Sequence, residues 1–135
     1  MYSKKHILFY STIPPDSTGA GNKMRILSNI LKYCYSGMEV VLFLININKS
    51  DLRTGIISLL NEKSVKIKFV NIKKEKIQIL DKIRYIFGFN KLSILNFLFP
   101  YRAGFLNLVK STNRQYKKSV HHFEYLSLAN VAISL

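Results

Sequence analysis

The segment MEVVLFLIN, residues 38–46, is almost entirely apolar and rich in β-branched and aromatic side chains. A short strand of this composition needs cover on both faces, as the inner strands of a parallel sheet have. Residues 5–11, KHILFYS, predict an earlier buried strand. Between the two strands, over residues 23–36, apolar side chains recur at helical spacing from Met24 onward, and Gly37 stands where a left-handed helix end is expected. Strand, helix and strand in this order predict a βαβ unit and therefore a parallel sheet.

The rest of the chain continues the alternation of strands and helices. The order predicts an α/β fold, namely a Rossmann-like open parallel sheet with helices on both faces. The further predicted elements are a helix over 51–62, a strand near the sheet edge over 65–72, a helix over 76–89, helical segments on both sides of Pro100 within 92–110, a short strand over 118–123, and the start of another helix that runs to the C-terminus.

Length and composition limit the organisation of the chain. With 135 residues and 48% hydrophobic residues, the chain can build one domain with a core but hardly two. Its single cysteine, Cys34, excludes an internal disulfide and fits a reducing compartment. No apolar run reaches the roughly 18 residues that a membrane span requires. We therefore expect one cytoplasmic domain.

The charge of the chain points to an anionic partner. The formal net charge is +14, from 21 Lys plus Arg against 7 Asp plus Glu. The segment from Lys63 to Lys91 contains nine basic and two acidic residues, and the aromatic segments YIFGF and ILNFLFPY lie within or next to it in the sequence. This combination predicts docking at an anionic membrane surface. Nucleic acid is the competing partner class, but the charges are spread over several elements and no recognition motif occurs.

A glycine-bearing loop separates the first strand from the first helix. In TIPPDSTGAGNKMR, residues 12–25, Gly19 and Gly21 permit unusual dihedrals ahead of the helix, whose backbone N–H groups and dipole suit a phosphate or carboxylate. A dinucleotide-binding loop would need glycine at Met24, and an acid after the second strand, where Asn46 and Asn48 stand. A triphosphate-binding loop would need a Gly-Lys-Ser/Thr sequence, which does not occur.

This loop and a later segment together resemble a known family. The strand, the Pro-Pro loop with Gly-Ala-Gly-x-x-x-Arg, and the segment VHHFEYLSLA at 120–129 resemble the N-terminal domain of family-4 glycosyltransferases. These are retaining, two-domain enzymes of the GT-B architecture. The resemblance implies that residues 1–135 form the acceptor-side domain. The C-terminal domain that binds the nucleotide sugar would be missing, and the chain alone would be inactive.

The resemblance also implies roles for particular residues. Gly19 and Gly21 would lie against the donor phosphate, with Arg25 nearby at the helix start. His122 would face the cleft as a catalytic residue, and Glu124 would follow it in the acceptor region. His121 and His122 compete for one role, and the sequence HFE, which begins at His122, favours the second histidine.

The implied reaction transfers a sugar from a nucleotide sugar to a lipid-linked or surface-polysaccharide acceptor at the inner face of the cell membrane. No cofactor and no metal is implied, and the nucleotide sugar is a co-substrate. Backbone donors and an arginine can stabilise the departing diphosphate, and a histidine can bind or deprotonate a hydroxyl. The alternatives are a non-catalytic α/β binding domain and a basic nucleic-acid-binding protein.

Overall fold

The computed structural model describes residues 5–74, residue 87 and residues 102–124. Strands and helices alternate along these ranges, as the apolar periodicities predict. The elements are β1 (His6–Ser11), α1 (Gly21–Tyr35), β2 (Glu39–Ile45), a 3₁₀ turn (Lys49–Asp51), α2 (Thr54–Glu62), β3 (Lys66–Val70), α3 (Arg102–Gln115) and β4 (Val120–Phe123).

The strands form one sheet in which every neighbouring pair is parallel. The order in the described sheet is β3-β2-β1-β4, so β1 and β2 are central and β3 lies at an edge. Phe9 of β1 is in register with Leu42 of β2 on one side and with His122 of β4 on the other. The predicted parallel, Rossmann-like sheet is therefore confirmed.

Helices cover both faces of this sheet because successive side chains of a strand point to opposite sides. Ile7 and Phe9 of β1 belong to the core that contains the buried faces of α1 and α2. Leu8 and Tyr10 belong to the core on the other face, with Phe105 of α3. The central strands are buried almost completely, and this explains why the segment 38–46 is apolar throughout.

Several local predictions need correction. Helix α1 begins at Gly21 rather than Lys23. Met24, predicted on the apolar face of this helix, is 48% exposed, whereas Ile26 is fully buried. The reason is that α1 packs against the sheet through the side that carries Ile26 and Ile30. The predicted helix over 51–62 is a 3₁₀ turn followed by α2. The left-handed conformation expected at Gly37 is confirmed by its φ of 75°.

Some predictions fall on parts of the chain that lie outside the described residues. These are the helix over 76–89 with most of the basic segment around it, the helical segment before Pro100, and the last helix, after residue 124. Within the described ranges, no helix has both the length and the apolar character needed to cross a bilayer.

Candidate functional site

The loop that leaves β1 and Glu124, the residue after β4, both lie at the carboxyl edge of the sheet. From β1 the chain turns through the loop 12–20 into α1 and on to β2, while β4 pairs with the opposite side of β1. Glu124, the residue after β4, donates its backbone N–H to the carbonyl of Tyr10 at 3.0 Å. In open α/β sheets, ligands bind outside the carboxyl ends of the strands where the strand order reverses, which in the described sheet is between β1 and β4. The predicted loop therefore lies at the edge where a ligand site is expected.

The two glycines of this loop differ in conformation. Gly19 has a φ of 98°, in the left-handed region that favours glycine. Gly21 is the first residue of α1 and has no such constraint, so the expectation of an unusual dihedral there is wrong. A Cβ built at either glycine would meet no described atom within 4 Å. The space beside both backbones is thus open to a ligand.

Polar contacts hold the loop, and at the helix start Asn22 Oδ1 accepts from the backbone N–H of Lys23 at 2.8 Å. Ser11 Oγ donates to the carbonyl of Ile13 at 2.7 Å and accepts from its N–H at 3.1 Å. Asp16 pairs with Arg53 at 3.4 Å. No side chain caps α1 at Ala20, and the first turn contains no acid. The positive end of this helix dipole is therefore not neutralised by an acid of its own first turn.

Arg25 and Glu124 form an ion pair across the gap between α1 and β4. Glu124 Oε1 accepts from Arg25 Nε at 2.8 Å and from Nη2 at 2.7 Å. The side chain of Glu124 is only 6% exposed, whereas that of Arg25 is 57% exposed. The carboxylate therefore fixes the guanidinium at the surface of the site, and a buried acid has its charge compensated.

His122 is held by three neighbours. Its Nε2 lies 3.0 Å from Glu124 Oε2, its Nδ1 lies 2.8 Å from the hydroxyl of Tyr33, and its ring stacks on Phe9 with 4.2 Å between ring centroids. A carboxylate only accepts hydrogen bonds, so in the neutral imidazole Nε2 carries the proton and Nδ1 accepts from Tyr33. Both ring nitrogens are thus engaged, and the tautomer is fixed.

His121 points to the opposite face and belongs to a different network. The hydroxyl of Tyr10 lies 2.7 Å from Thr112 Oγ1 and 3.1 Å from His121 Nδ1, and Thr112 Oγ1 donates to the carbonyl of Val109 at 2.9 Å. Thr112 has one hydroxyl proton, so Tyr10 donates to Thr112 and accepts from Nδ1–H of His121. Burial raises the pKa of Tyr10 to about 12 and lowers the pKa of His121.

The structure thus brings together residues that are far apart in the sequence. Arg25, His122 and Glu124 form one continuous hydrogen-bonded group; Gly19 precedes the helix that carries Arg25, and Gly21 begins it. Of the two competing histidines, His122 is the one that joins this group.

Tyr33 and Phe9 are members of this group that the sequence patterns did not identify. Tyr33 follows the buried Ile30 by three residues, a spacing that puts it on the same side of α1 and could have identified it. The stacking of Phe9 on His122 depends on the register between β1 and β4, for which the sequence contains no comparable local signal.

Within the ranges that the structure describes, no three His, Cys, Asp or Glu side chains lie close enough together to hold a metal ion. No protein-family model matches this chain, and neither a curated protein nor a solved structure is significantly similar to it. A function is therefore inferred from the geometry of the site together with the resemblance of the sequence.

Proposed function

We propose that this chain is the N-terminal, acceptor-side domain of a retaining GT-B glycosyltransferase that moves a sugar from a nucleotide sugar to a lipid-linked or surface-polysaccharide acceptor. One observation carries the proposal. Arg25 and Glu124, 99 residues apart in the sequence, are hydrogen-bonded to each other at the edge where the glycine loop leaves the sheet. The segments that carry the family resemblance therefore meet in one place.

The donor diphosphate occupies the start of α1 in this proposal. The open space beside Gly19 and Gly21 lets a phosphate approach the backbone, and the helix dipole attracts its charge. Arg25 lies in the first turns of the same helix and is more than half exposed. Glu124 keeps the guanidinium of Arg25 in one position. The guanidinium therefore needs less reorientation when the leaving group develops charge.

In this proposal, Nδ1 of His122 accepts the proton of the acceptor hydroxyl. Glu124 holds the proton on Nε2, which makes Nδ1 the basic atom of the ring, and the carboxylate stabilises the imidazolium when Nδ1 takes a proton. In the structure, the hydroxyl of Tyr33 hydrogen-bonds to Nδ1 of His122 at 2.8 Å. An acceptor hydroxyl that displaces Tyr33 would reach the same lone pair. His122 is thus the proposed catalytic residue and Tyr33 a placeholder for the substrate.

The edge strand β3 supports a membrane-bound acceptor. Lys66 and Phe69 on this strand are exposed, Phe69 to 40%, and the exposed Lys73 and Lys74 lie three and four residues beyond its end. Exposed cations and an exposed aromatic ring along one strand and the residues after it suit the headgroup region of an anionic membrane. We place the protein peripherally at the inner face of the cell membrane on this basis.

The proposed reaction needs a second, nucleotide-binding domain, because GT-B catalysis occurs between two lobes. The 135-residue chain is therefore expected to transfer sugar far more slowly than about 1 s⁻¹, an ordinary enzymatic rate. Transfer by this chain alone at such a rate would contradict the requirement for a second domain.

Binding of the donor can be tested on the chain itself. We expect UDP- and GDP-sugars, titrated into ¹⁵N-labelled protein, to shift the backbone amide signals of Gly19, Gly21 and Arg25. Arg25→Ala should weaken this binding by about tenfold, the loss of one charge-assisted hydrogen bond. Lys32→Ala removes one positive charge from an exposed position later in the same helix and is the matched control.

Two results would contradict the proposed donor site. The first is the absence of any shift around residues 19–25 at millimolar nucleotide sugar, which would favour a non-catalytic binding domain. The second is equal weakening by Arg25→Ala and Lys32→Ala, which would show attraction by net charge alone. Binding to single-stranded DNA with a steep salt dependence would instead favour the nucleic-acid alternative.

A further inference from the structure

A cavity lies between α3 and β4, on the face of the sheet opposite the proposed donor site. Its volume is about 500 Å³, and it is lined by Val109, Lys110, Asn113, Arg114 and His121. The ring of His121 lies on the face of Tyr10, whereas the group of Arg25 and Glu124 lies on the face of Phe9. The sheet therefore separates this cavity from the proposed donor site, and a ligand bound here would be independent of the proposed function.

His121 lines the cavity, and its ring has one hydrogen-bond acceptor that no described residue uses. Its Nδ1–H is used by the hydroxyl of Tyr10 in the buried network with Thr112. Burial lowers the pKa of His121, so the ring is neutral at pH 7 and Nε2 keeps its lone pair. Among the described residues, none hydrogen-bonds Nε2. A ligand in the cavity that offers a proton would satisfy it.

The charges around the same cavity select an anion. Lys110 and Arg114 are four residues apart on α3, both are exposed, and both line the cavity. Two cations disfavour a metal ion at Nε2 and attract a phosphate group. Asn113, between them in the sequence, contributes an amide that can donate or accept. The lining thus combines positive charge with one neutral acceptor.

We propose that this cavity binds a small phosphate-containing ligand that also carries a hydroxyl proton, either hydrogen phosphate or a sugar phosphate. Lys110 and Arg114 bind the anionic oxygens, and His121 Nε2 accepts the hydroxyl proton. A fully deprotonated anion of similar shape binds less well, because one of its oxygens would face the lone pair of Nε2. The proposed site therefore distinguishes anions that carry a hydroxyl proton from anions of similar charge that do not.

Phosphate and sulfate test this discrimination, because phosphate keeps a P–OH group at pH 7 and sulfate does not. By calorimetric titration at constant ionic strength, we expect the chain to bind inorganic phosphate at least about tenfold more tightly than sulfate. Lys110→Gln and Arg114→Gln should each weaken phosphate binding several-fold. Lys49→Gln removes one charge from an exposed position on the 3₁₀ turn, outside the cavity lining, and should leave the affinity unchanged.

The acceptor role of His121 is tested separately. His121→Phe keeps an aromatic ring beside Tyr10 and removes the lone pair, so phosphate and sulfate should then bind with similar affinity. Should this variant fail to fold, long-range ¹H–¹⁵N correlation of the wild-type imidazoles reports the tautomer directly. We expect a proton on Nδ1 of His121, a bare Nε2, and a change in the Nε2 signal on addition of phosphate.

Several outcomes would overturn the proposal. They are the absence of phosphate binding, equal affinity of the wild-type chain for phosphate and sulfate, equal weakening by Arg114→Gln and Lys49→Gln, and a proton on Nε2 of His121 in the free protein. A glucose 6-phosphate titration assigns the source of the phosphate: tighter binding than inorganic phosphate supports a sugar phosphate, and weaker binding supports hydrogen phosphate itself.

Discussion

The two faces of β4 carry adjacent histidines whose protons lie on opposite ring nitrogens. On the α1 face, the carboxylate of Glu124 requires Nε2–H of His122. On the α3 face, a hydroxyl chain that ends on the carbonyl of Val109 requires Nδ1–H of His121. Two histidines next to each other in the sequence therefore adopt different tautomers. The tautomer of each depends on which of its neighbours can only accept a hydrogen bond.

The two faces also differ in burial. Tyr10 is fully buried and packs against Phe43, Phe105 and Phe123, with 4.9, 5.5 and 5.0 Å between ring centroids. Tyr33, which holds His122, is only partly buried. The Tyr10 ring thus contributes more to stability than the Tyr33 ring, which lies beside charged groups that a ligand can reach. This division leads to three predictions about stability.

The largest expected effect is the loss of the Tyr10 ring. Tyr10→Ala should lower the free energy of unfolding by about 3–5 kcal/mol, because it leaves a cavity among three aromatic rings. Tyr33→Ala, the matched change on the other face, should cost about 1 kcal/mol. Urea denaturation measures both values, and equal losses would show that the burial of Tyr10 adds nothing to its contribution.

The next effect is alkaline destabilisation through Tyr10. Its pKa is raised to about 12 in the fold from an ordinary value of 10.0, so the unfolded chain loses this proton first. The resulting stability is complete below pH 10 and is lost as the pH rises toward 12, on the order of 2–3 kcal/mol. Unfolding free energies at pH 9 and pH 11.5 measure it for wild type and for Tyr10→Phe. The variant should lose less stability over this range, and an identical loss in both proteins would exclude Tyr10 as its source.

The smallest effect concerns the ion pair of Arg25 and Glu124. A double-mutant cycle with Arg25→Gln and Glu124→Gln should give a coupling free energy of about 1 kcal/mol, because Glu124 is buried but Arg25 is largely exposed. The more exposed pair of Asp16 and Arg53, separated by 3.4 Å, should couple by only a few tenths of a kcal/mol. A coupling at Arg25–Glu124 no larger than at this control pair would mean that burial of the carboxylate adds nothing.

Much of the fold could be predicted because its signals are local. The apolar run at 38–46, the helical spacing before it and the alternation over 65–72 each define an element within a few residues. Predictions failed where contacts between distant parts of the chain determine which side chains are buried. Met24 and Ile26 are examples, because their exposure depends on the rotation of α1 about its axis relative to the sheet. Spacing gives a helix an apolar side, but the packing partner sets its orientation.

The candidate site divides in the same way. The order of residues along the chain was enough to predict the loop after the first strand, the helix that follows it, and a short strand that carries His121 and His122. Only the folded chain decided that β4 pairs with β1 and not with β3, and this pairing places Glu124 against Arg25 and Tyr10 against His121. The reason is physical: strand periodicity and turn chemistry act between neighbours. The proton on His121 is instead set through Tyr10, 111 residues away, and the Nδ1 of His122 is bound by Tyr33, 89 residues away; these groups become neighbours only when the sheet forms.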